Sequence, residues 1–411
     1  MANLLRINKS NNTLPLLCLA VASLGFASSA YSATKIEVSP KAIRLAQDAL
    51  IVDTHIDVPY RIEDNYADVS RATKDGDFDY PRASRGGLDG AFMSIYIPAE
   101  YEKKGGSVAL ADRLIDRVEA IVGRAPEKFA LAYSSKEMLE NQKAGKISLP
   151  MGMENGTPLE GNIENLKYFY DRGIRYITLA HSKSNHISDS SYSEDKPHQG
   201  LSDFGKQLIT EMNNIGMMVD ISHVSDQAFY DVMAVSQVPV IASHSSLRHF
   251  TPGWERNMDD KMLKALKKNG GVIQINFGSA FIHEDANGYN NKRKAALTEY
   301  KKTHPKASKE DMKNFEEMYK KDNPYPYASL DQVLEHFDYA VKLIGIDHVG
   351  VGSDYDGVGD SLPENLKDVA SYPALVQGLL NRGYSEGDVR KILGGNLMRV
   401  WQAVEEYGDK H

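Results

Sequence analysis

From residue 49 onward, short apolar runs alternate with longer stretches in which apolar residues recur every three or four positions. The runs are ALIVDTHID, GLDGAFMSIYI, ISLPMGMENG, IRYITLAHS, MMVDISHVS, VPVIASHSS, GGVIQINFG and HVGVGSDYDG, eight in all. Most are rich in Val and Ile without strict in-out alternation, the pattern of parallel strands buried on both faces. Between them, VALADRLIDRVEAIVG, NIENLKYFYDRG, LSDFGKQLITEMNNIG, SDQAFYDVMAVS and DKMLKALKKNGG read as helices, with Ser or Asp near their starts and Gly at their ends. Eight strand-helix units predict an α/β protein, a (β/α)8 TIM barrel. Two stretches break the rhythm. Residues 60–87 are polar and read as loop, and about 283–329 is densely charged, with KKTHPKASKEDMKNFEEMYKK read as helix. Mixed charge of this kind marks solvated surface, so the second stretch is expected to be an insertion on the barrel rim.

Composition narrows the partners. Of 411 residues, 42% are hydrophobic and 25% charged, as in ordinary globular chains, and the net charge of -8 supplies no basic field for nucleic acid. A small-molecule or peptide substrate fits better. At the N-terminus, Arg6 and Lys9 precede the apolar LPLLCLAVASLGFA and the small-residue SSAYSATK, the layout of a secretory signal peptide over residues 1–32. Cleavage is expected after Ser32 or Ala30, leaving 33–411 as one barrel domain of an exported, periplasmic or secreted protein. The single cysteine, Cys18, lies inside that signal after Leu17, where a lipoprotein site needs a small residue. The mature chain is therefore expected to have no disulfide, no lipid anchor and no later membrane span. A non-covalent homodimer stays open.

The chemistry sits where the runs end. In DTHID, His55 and Asp57 are two residues apart and would project from one face of a strand. Glu154 ends the third run, His181 the fourth, His223 the fifth, His244 the sixth and Asp354 the eighth; the seventh contributes no ionisable group. Barrel strand ends converge on one face, so these side chains would share one mouth. Clustered carboxylates and imidazoles are costly to desolvate unless a metal binds. Nitrogen and oxygen donors without thiolate suit zinc, with manganese, cobalt or iron(II) also compatible. Five or six ligands exceed one tetrahedral ion and would serve two, bridged by one carboxylate.

The motifs DTHID, GMENG, LAHSKSN, VDISHVS, IASHSS, GSDYDGV and GGNLMRVW, in order up to Trp401, resemble those of the renal, or membrane, dipeptidase family of binuclear zinc hydrolases within the amidohydrolase superfamily. The resemblance implies that His55 and Asp57 hold one zinc ion, His223 and His244 the other, with Glu154 bridging. It implies that Asp354 handles the proton of a hydroxide between the ions, and that His181 contacts substrate and steadies the developing oxyanion. In RHFTPGWERNMDD, Arg256 precedes Asn257 as the family's carboxylate-binding arginine precedes its asparagine, so Arg256 is the expected reader of the substrate's free carboxylate. Arg248 competes for that role. The implied reaction is hydrolysis of dipeptides, some with a C-terminal D-residue, and in some members of a β-lactam ring.

Two rival readings follow from the same residues: an amidohydrolase acting on another amide, a lactone or a β-lactam, and a non-catalytic periplasmic binding protein. The second has no use for Asp354 and His181 beside five ligands. GYSEG matches the serine-hydrolase elbow, yet Ser385 opens a helical stretch and reads as an N-cap.

Overall fold

The computed structural model describes residues 36–411, so the expected signal peptide over residues 1–32 and Cys18 lie outside the described residues. Ten strands form one parallel sheet: β1 Val52–Ile56, β2 Gly90–Tyr96, β3 Phe129–Ala130, β4 Ile147–Ser148, β5 Met151–Glu154, β6 Ile174–Thr178, β7 Met218–Asp220, β8 Ile241–Ser245, β9 Val272–Ile275 and β10 Val349–Val351. β3 and β4 are two-residue additions on the lower part of β2. The other eight run β1-β2-β5-β6-β7-β8-β9-β10 in parallel register. The ring closes where Ile56 bridges Tyr355, with Asp57 N donating to Tyr355 O (2.9 Å) and Asp354 N to His55 O (3.1 Å). This is the curled, helix-backed sheet of a (β/α)8 barrel, and each of the eight apolar runs supplies one of its strands.

The lower end of the barrel is filled by apolar side chains. Val52, Phe92, Tyr176, Met218, Ile241 and Val272, one from each of six strands, pack in one cluster with Leu397, Val400 and Trp401 of the helix Asn396–Gly408. That explains GGNLMRVW. A Cβ on Gly394 would lie 2.6 Å from Leu50 O, and Asn396 Nδ2 donates to Ile346 O and Val349 O at the foot of β10. The motif seals the barrel floor, far from the strand ends that carry the ionisable groups.

The five helices read from periodicity form at Ser107–Arg124, Glu164–Asp171, Asp203–Asn214, Asp226–Val235 and Asp260–Asn269. Ser385 caps Glu386–Arg390 in a capping box with Asp388, as an N-cap should. Two readings are corrected. Residues 60–87 are not simply loop: they hold the end of helix Val58–Asp64 and the whole of Tyr80–Gly86, short segments whose Pro at the first turn sets the entry angle. The charged KKTHPKASKEDMKNFEEMYKK is not one helix. Pro305 disfavours helical backbone at His304, so one helix ends at Thr303 and another starts at Lys309 behind the Ser308 cap.

Candidate metal centre and active site

All seven predicted side chains meet at the carboxyl end of the barrel. Glu154 stands at the middle. Its Oε2 is 3.5 Å from His55 Nε2, and its Oε1 is 3.2 Å from His223 Nε2, 3.3 Å from His244 Nε2 and 3.5 Å from His181 Nε2. His55 Nε2 is also 3.4 Å from Asp57 Oδ2. His55 and Asp57 meet by a different route from simple strand alternation: β1 stops at Ile56, and Asp57 takes the N-cap position of the next helix without making a capping bond, which leaves its carboxylate facing the site.

The local backbone is tight. His223 and Asp354 have φ of 68° and 64°, so both chains turn sharply as they leave their strands. Beside them, a Cβ on Gly357 would lie 2.2 Å from Asp57 Oδ2 and 2.3 Å from Asp354 Oδ1, so only glycine lets that loop pass the cluster.

Electrostatics match a cation site. Burial and the adjacent Arg256 hold the His223 imidazole well below its usual pKa, and burial and His55 do the same for His244. Both are neutral rings with a lone pair to give. Burial pushes Glu154 up, but His55, His181, His223 and His244 outweigh it, and the carboxyl stays well below the usual range. Asp354 is pushed up to about 7 by burial, with Asp57 and Glu154 nearby and His55 and the Asn276 amide opposing.

The donor set tests whether metal fits. Arg256 can only donate, so its Nη2 at 3.1 Å from His223 Nε2 marks that nitrogen as a lone pair. His244 Nε2 lies 2.7 Å away, with Glu154 Oε1 beside both. On the other side, the buried His55 Nε2 has no hydrogen-bond partner among the described residues and faces oxygens of Asp57 and Glu154. Donor atoms converging from both sides of one carboxylate fit a metal centre drawn from His55, Asp57, Glu154, His223 and His244.

The arginines separate clearly. Arg248 is committed to Asp226, with Nη1 and Nη2 at 2.7 and 2.5 Å, and to the carbonyls of Asn257 and Glu255. Arg256 is buried against the cluster, donating to Ser245 Oγ and His244 O at 2.6 Å each, while its Nε has no partner among the described residues. Two other histidines near these motifs are engaged elsewhere: His186 binds Glu102 through Nδ1 (3.0 Å) and His249 stacks on Tyr339.

A cavity of about 1030 Å³ opens above the cluster. Residues that a search for ionisable groups passes over complete it. Ser94 of β2 donates to Glu154 Oε2 (3.2 Å), Tyr96 packs edge-on against His181, and Asn276, just past β9, donates to Asp354 Oδ2 (2.7 Å). Tyr192 and Phe281 line the sides. The charged insertion supplies an outer wall through Tyr289, Asn290, Arg293 and Lys320. Polar residues at the ends of the second and seventh runs were the only signal for Tyr96 and Asn276.

A parallel barrel whose strand ends hold imidazoles and carboxylates around one cavity defines a metal-dependent hydrolase. Residues 40–411 match the membrane dipeptidase family, peptidase family M19, and the chain belongs to it, which makes it a metallopeptidase of the dipeptidase class. It is 31% identical over 388 residues to the dipeptidase verJ of Clonostachys rogersoniana, covering 90% of this chain and 88% of that protein. It is 30% identical to dipeptidase 3 of Mus musculus, covering 90% and 67%. Among solved structures, the probable dipeptidase PvdM from Pseudomonas aeruginosa superposes with a TM-score of 0.77 at 26% identity, covering 89% of this chain and 98% of that one.

Proposed function

We propose that the enzyme hydrolyses the peptide bond of dipeptides, including those with a C-terminal D-residue, using two zinc ions held by His55, Asp57, Glu154, His223 and His244. The observation that carries this reading is the division of Glu154, one oxygen toward His55 and the other toward His223 and His244. Bound there, the ions supply Lewis-acid polarisation of the scissile carbonyl and acidify the attacking water. Asp354, held beside the cluster by the Asn276 amide, takes a proton from the attacking water as oxygen adds to the carbonyl carbon. The proton then passes to the leaving nitrogen as the C–N bond breaks, giving two amino acids. His181, whose Nε2 faces the cluster, steadies the oxyanion, and Arg256, beside His223, receives the free carboxylate.

Metal analysis of the purified mature protein, run beside turnover of L-Ala-L-Ala and L-Ala-D-Ala with and without chelator, tests the reading. Two zinc equivalents with chelator-sensitive cleavage are expected; two equivalents without cleavage would move the substrate to another amide or lactone. Asp354→Asn should keep the metal and lose at least about a thousandfold in kcat, which is roughly 4 kcal/mol of barrel-mouth chemistry. We further propose export, supported by the charged head, apolar core and small-residue exit of residues 1–32. N-terminal sequencing of the secreted or periplasmic protein should begin at Ala33 or Tyr31.

A further inference from the structure

Two of the proposed ligand imidazoles have their other ring nitrogen held by partners outside the candidate site described above. His244 Nδ1 is 2.7 Å from Ser243 Oγ, and Ser243 Oγ is 2.6 Å from Asp220 Oδ2. The carboxylate can only accept, so the hydroxyl donates to it and must accept from His244. That places the proton on Nδ1 and the lone pair on Nε2, toward Glu154. His55 follows the same logic with a different group. Tyr176 OH donates to Thr54 O (3.0 Å), so it accepts from His55 Nδ1 (2.9 Å), and His55 Nε2 is left to face Asp57 and Glu154.

Asp220 is fully buried and saturated. Its Oδ1 accepts from the backbone N–H of Ser222 (3.0 Å) and Ser243 (2.8 Å), and its Oδ2 from the hydroxyls of Thr178 (2.5 Å) and Ser243. We infer that Asp220, acting through Ser243, is a positioning residue that fixes the tautomer of His244 for the ion held with His223, while Tyr176 does this for His55 and the other ion. The inference rests on the two-ion reading above. It gives the two ions unlike supports: a carboxylate relayed by a hydroxyl on one side, a neutral phenol on the other. Partners of this kind typically change metal affinity 10- to 100-fold.

The chemistry of Asp220→Asn is directional. Two backbone N–H groups hold the amide oxygen at the Oδ1 position, which puts the NH2 at the Oδ2 position against Ser243. The amide then donates to the hydroxyl, the hydroxyl donates to His244 Nδ1, and the imidazole proton moves to Nε2, where the ion should bind. Comparable reversal of a histidine's tautomer is known to disable a site whose geometry is intact.

The test is competitive chelator titration of the zinc-loaded enzyme, with histidine 15N NMR to read the tautomers. Wild type should release two ions, and Asp220→Asn should melt as a folded protein yet release one ion 10- to 100-fold more readily. Tyr176→Phe should weaken one ion as well, and the double variant both. Thr178→Val removes a different bond to Asp220 Oδ2 and should leave both affinities within about threefold. If Asp220→Asn does not fold, Ser243→Ala replaces it and should show the same one-ion loss. Unchanged affinities, or an Nδ1-protonated His244 in Asp220→Asn, would overturn the inference. A wild-type protein that holds no zinc would instead overturn the function on which it rests.

Discussion

Glu154 on the floor of the cavity and Glu316, which pairs with Arg293 and Lys320 of the outer wall, are both glutamates surrounded by nitrogen groups, yet they do different work. Glu154 has only 5% of its side chain exposed and faces four imidazoles. Glu316 has 31% exposed and pairs with Arg293 and with Lys320, whose Nζ is 3.1 Å away. Water screens the second set, and such pairs contribute about 0–1 kcal/mol. Burial leaves the first set unscreened, so the same Coulomb interaction decides protonation and metal binding. The chemistry is therefore confined to the desolvated floor. The wall keeps its shape by contacts such as Tyr300 stacked on Phe315 at 4.1 Å and Tyr289 edge-on to Tyr325 at 5.1 Å.

The largest effect expected from this contrast is at Glu154. Glu154→Gln should lose its bound metal and at least about a thousandfold in kcat/KM, measured by metal analysis and dipeptide turnover; a variant keeping the wild-type metal content would break the comparison. Next comes His336, a fully buried imidazole with no carboxylate against it, its pKa pushed down to about 3 by burial. Its Nδ1 accepts from Leu247 N and its Nε2 donates to Ile282 O. The unfolded chain binds this proton below about pH 6.5 and the folded chain does not until about 3, so stability falls as pH drops through that window. The slope should reach about 1.4 kcal/mol per pH unit, and urea melts at pH 6.5 and 4.5 should differ less in His336→Gln than in wild type.

On the wall the effects shrink. Tyr289→Ala removes a ring that lines the cavity and a bond to Asn323 O (2.9 Å). KM for dipeptides should change two- to tenfold with kcat within about twofold, because the ring touches no reacting atom. Glu316→Gln should be the mildest, with kcat/KM within about twofold and Tm within about 2 °C in a thermal melt. A hundredfold loss there would mean that the insertion takes part in the chemistry.

What was legible in the sequence follows the same division. Parallel strands buried on both faces must be contiguous apolar runs, so β1, β2 and β5 to β10 stand out. Ionisable groups directly after such runs are costly to bury, so His55, Asp57, Glu154, His181, His223, His244 and Asp354 stand out too. Neutral partners carry no such cost signal. Ser94, Asn276, Tyr176 and Ser243 look like ordinary strand residues until their hydrogen bonds are seen. The wall was illegible for the opposite reason: Tyr289 sits among exposed charges, and only tertiary packing brings it over the cavity. The helix at Tyr80–Gly86 escaped because seven residues are too few to show a period.

The seam that closes the barrel runs through the active site. Asp57 N to Tyr355 O and Asp354 N to His55 O are the bonds that join the first strand to the segment after the last, some 300 residues later in the chain. Contacts of such long sequence separation are entropically expensive and form late. The expected partly folded chain holds most of its helices and strands while His55 and Asp354 remain apart. In refolding, recovery of catalysis should lag behind recovery of the helical circular-dichroism signal, and the enzyme's own turnover then serves as a clock for the last event of folding.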